Sequence, residues 1–550
     1  MRRAFRVSLV LAVLGAMVLV AAGNSTAARH HGHRAPRWVR HVRNYPGGIS
    51  NGVRAYLTKG VIQARQAARQ GLFSPSSPAN TGGIGGNVQV NTEPVTPKMP
   101  QNETAVAYSL DALTTAVAAS NDYIDGGLGI YTTHDGGNHW NSVYLTPRVP
   151  ETGDFCTGGD PSVVYSARDH AFYASQLCFM RFHPESEVQV IESTDGGDHW
   201  TGARFSSEVI TNWNGSGFDP SVFYDKELLA VDNNPASPHY GRLYVTFIKF
   251  HFDETGFGDY CPVQLAYTDD VDPNNDGSLT DTVWSHTPVV PDNPGGNGTG
   301  PTANQWAIPV VDDQGGLDIS YASEDCNTSF DRALLFKRST NGGASFGPQR
   351  KINKPGQWKD NPNLSDLLPN KNARIPLSPS MDFDPQLGAL VYVVQNNINA
   401  GSSGADISGA FSTDYGTTWS DMQFVSHLGS TVGAGAPNDQ FFPWVSVDPQ
   451  GGIHVIWFDN RNDPGNTLIE TFELFTGTLS FAAPNTDIST ASWNPNNSFF
   501  SSGSFIGDYN GLDAVDNAIE YPVWTDGRNT PGPPFGQTDV FTVPNQSPEP

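Results

Sequence analysis

Residues suited to sugar chemistry recur where short apolar runs of this chain begin. They are Asp160, Asp219, Gln305 with Trp306, Arg374, Asp439 with Gln440, and Asp508 with Tyr509. Aromatic faces stack on sugar rings, while carboxylates and amides bind hydroxyls. Two carboxylates flanking a glycosidic bond hydrolyse it, one as acid and the other as nucleophile or base. Arg461 in FDNRND and Arg528 in WTDGRN add two guanidinium groups. Each residue also has a structural reading. An Asp before Pro-Ser caps a turn, and the two arginines have Asp459, Asp463 and Asp526 as neighbours in sequence.

A separate acidic stretch suggests a metal. DDVDPNNDGSLTD spans Asp269 to Asp281, and from Asp272 it reads D-x-N-x-D-G-x-L. That matches the first eight positions of an EF-hand-type calcium loop. Asp272, Asn274 and Asp276 offer side-chain oxygens, Gly277 the bend and Ser278 its carbonyl. Position twelve is Val283 instead of the bidentate Glu, with Asp281 or Asp270 to compensate. A structural calcium ion is the expectation, and a solvated turn is the competing reading.

Repeated phrases must place these groups. TTHDGGNHW ends at Trp140, STDGGDHW runs from Ser193 to Trp200, STNGGASF from Ser339 to Phe346, and STDYGTTW from Ser412 to Trp419. Each follows an alternating apolar run, which reads as a turn between strands. The Asp closes the turn, Gly137, Gly197, Gly343 and Gly416 supply positive φ, and the aromatic ring packs back on the sheet. A degenerate copy lies at Tyr267 to Asp270. A second phrase, strand then Asp-rich turn then strand, repeats in phase from Asp160, Asp219, Asn304, Ser378 and Phe441. Together they make four-stranded blades of a radial all-β array. Openings near Thr104, Asp160, Asp219, Asn304, Arg374, Asp439 and Phe505 count seven blades, with six the alternative. The last unit is one strand short, and NVQVN at 87–91 is placed to complete it.

The repeated turn is the Asp-box, and the chain resembles the sialidase-like Asp-box (BNR repeat) β-propellers over roughly 87–544. The resemblance implies a site at the channel mouth, on the innermost strands. Sialidases hold a carboxylate with three arginines and use a Tyr nucleophile, a Glu partner and an Asp acid/base. On that pattern Arg374 (in ARIP), Arg461 and Arg528 are the candidate arginines, Tyr509 the nucleophile, and Asp508 and Asp439 the acids. Asp160, Asp219, Gln305, Trp306 and Gln440 would bind substrate. The Arg-Ile-Pro motif here opens the fifth blade instead of the first, and no Glu is paired with Tyr509. The implied function is a sialidase-like exo-glycosidase acting on carbohydrate or glycoconjugate. The alternatives are a non-catalytic carbohydrate- or protein-binding propeller at the cell surface, and a scaffold.

Charge divides the chain. Residues 1–92 contain twelve Lys or Arg and no acid, so all 56 Asp and Glu lie beyond them. The acidic body repels nucleic acid and anionic membranes. Arg2, Arg3 and Arg6 precede an apolar run over 7–22, which reads as a secretory signal, cleaved near Gly23 or Ala27. The expected organisation is a signal peptide over 1–23, a basic leader and linker over 24–86, the propeller over 87–544 and a tail over 545–550. In the leader Val53, Leu57, Val61, Ala64 and Ala68 recur at helical spacing. A pro-region or a helix packed on the acidic body competes there with cell-wall or membrane attachment. His30, His31 and His33 read as linker. Four cysteines in a secreted chain predict two disulfides, Cys156 with Cys178 and Cys261 with Cys326, each pair nearest in sequence. A monomer without a transmembrane segment is expected.

Overall fold

The alternating runs form strands, and the computed structural model describes residues 35–57, 86–92, 100–123, 126–293, 298–300, 302–399, 404–429, 432–498, 505–529 and 538–545. The apolar run at 7–22, the three leader histidines and the helical spacing beyond Leu57 lie outside those residues. Seven antiparallel sheets span 101–145, 162–211, 222–288, 305–351, 380–424, 440–487 and 511–542, and are numbered here as blades 1 to 7. Each has four strands in sequential order, apart from the addition of Gly258–Tyr260 to blade 3. The opening strand of each blade touches that of the next, and blade 7 touches blade 1, so the array is a closed β-propeller of seven blades. Blade 7 takes its outer strand from the other end of the chain. Val88 pairs with Thr542 and Gln89 with Phe541, as NVQVN was placed to do. Among the described residues no helix is long and apolar enough to cross a membrane. Both disulfides form as expected, Cys156–Cys178 and Cys261–Cys326.

The repeated turns join the third and fourth strands and are built alike. In the second copy the Gly197 amide donates to Ser193 Oγ at 2.9 Å, the His199 amide to Asp195 Oδ1 at 2.9 Å, and Trp200 Nε1 to the Gly197 carbonyl at 3.0 Å. These turns also knit neighbouring blades. Thr132 of blade 1 donates to the Gly197 carbonyl of blade 2 at 2.7 Å, and Arg242 of blade 3 to that of Gly342 in blade 4 at 2.7 Å. At the degenerate copy an ion pair takes over, with Arg242 donating bidentately to Asp269 at 2.7 Å.

The opening strands line a central cavity of about 640 Å³. At the cavity's upper end the backbone does something unusual. Glu103, Asp160, Lys226, Trp306, Ser378 and Phe442 all have positive φ, between 40° and 62°, one at the start of each of blades 1 to 6. Gly507 takes that place before blade 7, with φ of 101°. In blades 1, 3, 4 and 6 the register slips there, as at a β-bulge. Such a bulge re-aims a side chain, here toward the axis.

Two short helices precede the propeller, α1 (Arg37–Asn44) and α2 (Asn51–Ala55). Trp38 of α1 packs against Phe179 and Phe223 with centroids 5.4 and 5.1 Å apart. Of the readings of the leader, a helix packed on the acidic body describes 35–57.

Gly416 tests the knitting role of the turns. Its φ is 77°, and a Cβ there would run into the Phe336 ring of the preceding blade. Gly416→Ala should lower stability by about 1–3 kcal/mol, from overpacking and backbone strain, read as a lower denaturant midpoint.

Candidate active site at the channel mouth

The left-handed positions bring Glu103, Asp160, Lys226 and Trp306 together, and Asp508 and Tyr509 join them from blade 7. Lys226 Nζ lies 2.7 Å from Asp508 Oδ2, 3.4 Å from Glu103 Oε1 and 3.6 Å from Asp160 Oδ2. Glu103 and Asp508 thus each place an oxygen within 3.4 Å of one ammonium. The same ammonium sits 4.8 Å from the Trp306 ring centre and 5.2 Å from that of Tyr509. Asp225 and Glu227, beside Lys226, are buried with it. Asn121 fixes the frame, its Nδ2 donating to Glu103 at 2.5 Å and its Oδ1 accepting from the Asp160 amide at 2.8 Å.

The environments push these acids apart. Burial, and then Asp160, hold Glu103 well above the ordinary carboxylate range. Burial and Asp160 do the same to Glu227, and raise Asp225 to about 7. Burial acts on Asp508 in the same direction, but Lys226 and then Arg374 overcome it and hold that carboxyl below its usual value. Burial likewise opposes the charge on Lys226, and the acids outweigh it. The mouth therefore holds Glu103 shifted upward and Asp508 shifted downward about one ammonium, and a separation in opposite directions is what distinguishes acid from base roles. Tyr509 is raised by burial and then Glu103, and its hydroxyl donates to the Pro161 carbonyl at 3.1 Å.

The other residues singled out by sequence fall into two groups. Near the mouth, Gln305 Nε2 donates to the Gly48 carbonyl at 2.6 Å, and Arg374 Nη1 to Asn51 Oδ1 at 2.9 Å. Away from it, Asp219 caps its own turn, accepting from the Ser221 amide at 2.9 Å. Lys226 takes the place in blade 3 that the repeated Asp-Pro-Ser suggested for Asp219. Asp439 is bound to Lys371 at 2.8 Å, and Gln440 donates to the Pro437 carbonyl at 2.8 Å. The three arginines share no partner among the described residues. Arg461 pairs with Asp459 at 2.6 Å and Arg528 with Asp526 at 2.7 Å, so the expected three-arginine convergence is not formed. Each guanidinium is held by the Asp two residues before it, at the end of a second strand.

Glu103, Asp225, Lys226, Glu227 and Asn121 were not singled out from sequence. The signal for three of them was an Asp-Lys-Glu run inside an otherwise apolar strand, YDKELLAV.

In the acidic insertion, Asp272 accepts from the amides of Asp276 at 3.2 Å and Gly277 at 2.9 Å, and Asp276 accepts from that of Ser278 at 2.9 Å. Asn274 donates to Asp281, Asp270 accepts from Thr268 through its carbonyl, and Gly277 bends at φ of 77°.

No protein-family model matches the chain, and no curated protein sequence matches it. Solved structures similar to it include a Hadza microbial sialidase, at 12% identity and a TM-score of 0.42, over 67% of this chain and 65% of that one. A GH93 α-L-arabinofuranosidase of Fusarium graminearum, in complex with arabinobiose, is similar at 12% identity and 0.39, over 68% and 92%. Trypanosoma rangeli sialidase in complex with sialic acid is similar at 13% and 0.40, over 72% and 56%.

Lys226→Met should cost about 3–5 kcal/mol, the range for removing one partner of a buried pair. The sign with pH follows from Asp508. Its depressed pKa contributes stability above the ordinary value of 3.8, lost as pH falls through the folded value. The difference between variant and wild type in unfolding free energy should therefore shrink as pH is lowered toward that value.

Proposed function

We propose that the protein is a carbohydrate-acting propeller, a glycoside hydrolase that works from the channel mouth with a carboxylate pair. The observation that carries this is Glu103 and Asp508 around one ammonium beside the Trp306 and Tyr509 rings, with their carboxyls shifted in opposite directions. Glu103 would protonate the leaving oxygen. Asp508 would act as nucleophile, or as base toward water. The acids around Tyr509 oppose a phenolate, so the pair supports the chemistry better than a Tyr nucleophile does. A basic start, an apolar run and two disulfides support action outside the cell.

A non-catalytic sugar-binding propeller is the second reading, and one contact favours it. Lys226 at 2.7 Å neutralises Asp508, which lowers its reactivity as a nucleophile or base but leaves polar and aromatic groups suited to holding a sugar.

Residues 47–56 cover the mouth, so the assay uses the full chain and a Gly52→Leu variant that crowds their docking. The substrates are a sialoside, an arabinofuranoside and hexopyranosides. Glu103→Gln and Asp508→Asn should each lower kcat by about 10²–10⁴-fold on the accepted substrate, while Tyr509→Phe leaves turnover largely intact. Loss of turnover in Tyr509→Phe alone would restore the tyrosine mechanism. Binding without turnover for any substrate would establish the second reading.

We also propose calcium at the acidic insertion, on the strength of its Asp-x-Asn-x-Asp-Gly spacing and the Gly277 bend. Chelator should lower the melting temperature and added calcium restore it, with no response in Asp276→Ala. Identical melting with and without chelator would leave the loop a plain turn.

A further inference from the structure

Residues 47–56 fill the mouth with polar groups of their own. The amide of Ser50 donates to Asp225 Oδ2 at 2.7 Å. Asn51 donates to Asp508 twice, through its backbone amide at 3.1 Å and its side chain at 2.6 Å. Its carboxamide oxygen accepts from Arg374, and the Gly48 carbonyl accepts from Gln305. Gly52 lies directly over the acids, where a Cβ would come within 2.6 Å of both Asp160 Oδ1 and Glu103 Oε2. These are the contacts a hydroxylated ligand would make: donors to carboxylates, an acceptor to a guanidinium.

Two features separate this segment from ordinary core. The first is that it holds its own shape. Arg54 is partly buried, and among the described residues its hydrogen bonds go to the carbonyls of Ile49, Val42, Tyr45 and Gly47, all of the leader itself. Burial, and then Arg374, lower its pKa to about 9. The second is that it closes the mouth without satisfying it. Among the described residues no group of the segment hydrogen-bonds Asp160 or Glu227, and Asp160 Oδ2 is left with the Lys226 ammonium at 3.6 Å. Buried acids so thinly partnered are uncommon in native interiors, and an entering ligand would supply donors to them. The anchor lies elsewhere, in Trp38 of α1. Between anchor and mouth the chain passes Pro46-Gly47-Gly48, with Gly48 at φ of 81°.

We propose that residues 47–56 are an internal occupant of the acid-lined mouth, held by α1 and displaced when a polyhydroxylated ligand enters. The last clause rests on the sugar reading above, whereas the occupancy of the mouth by a segment that can open does not.

The test uses the full chain, with Gly52→Leu to crowd Asp160 and Glu103, and Asn51→Asp to set a carboxylate against Asp508. Access to the mouth is read by mass spectrometry as acylation of Lys226, whose side chain is 5% exposed. Docking is read as tryptic cleavage after Arg54. Both should rise by about tenfold or more in each variant, as expected for a locally opened segment, while cooperative unfolding is retained. Three results would overturn the proposal. One is cleavage after Arg54 with Lys226 still protected, which makes something else the cover. Another is no change in either readout for both variants. The third is loss of cooperative unfolding in both, which makes the segment a permanent part of the core. If Lys226 becomes reactive but no glycoside in the panel binds or turns over, the occupancy stands, and displacement by a sugar falls with the sugar reading.

Discussion

One ammonium makes the upper end of the propeller possible. Glu103, Asp160, Asp225, Glu227 and Asp508 are buried around the axis, an arrangement that mutual repulsion would otherwise forbid. Lys226 compensates part of that charge, and burial raises Glu103, Asp225 and Glu227 toward their neutral forms. Compensation of this kind is weak evidence for stability, since a buried ion pair often costs as much as it returns. It is better evidence for a site. The left-handed residues point the same way, because non-glycine residues at positive φ are retained where the surroundings over-determine them, often at functional positions.

The fold was readable because it is written several times in phase. Turns at Thr133, Ser193, Ser339 and Ser412 fix where third strands end, and the opening phrases fix where blades begin. Even the missing strand showed itself, as a blade one strand short and an unassigned NVQVN. The mouth was less legible for a local reason. A bulge shifts the side chain that faces the axis away from the residue that opens the repeat. Asp160 and Lys226 occupy the same place in their blades, yet the text repeats as Asp160-Pro-Ser and Asp219-Pro-Ser. The arginines misled in another way. Arg461 and Arg528 follow an Asp at a strand end, and in both cases that Asp holds the guanidinium.

The leader meets the acidic body in two ways. Arg37 pairs with Glu254 of blade 3, whereas the hydrogen bonds to the mouth carboxylates come from the uncharged Ser50 and Asn51. Arg54, the cation nearest by sequence, is turned away and spent on carbonyls of its own segment.

Closure by the strand at 88–89 has a consequence for the order of events at synthesis. That strand emerges early and finds its partner, 541–542, only when nearly the whole chain has been made. Until then blade 7 does not exist, and the first and sixth blades each face solvent on a side meant for a neighbour. The leader is seated in two stages, since Phe179, Phe223 and Asp225, which receive Trp38 and the Ser50 amide, come from blades 2 and 3, whereas Asp508, which receives Asn51, comes from blade 7. Ring closure and the last contacts of the cover therefore fall together, late in synthesis.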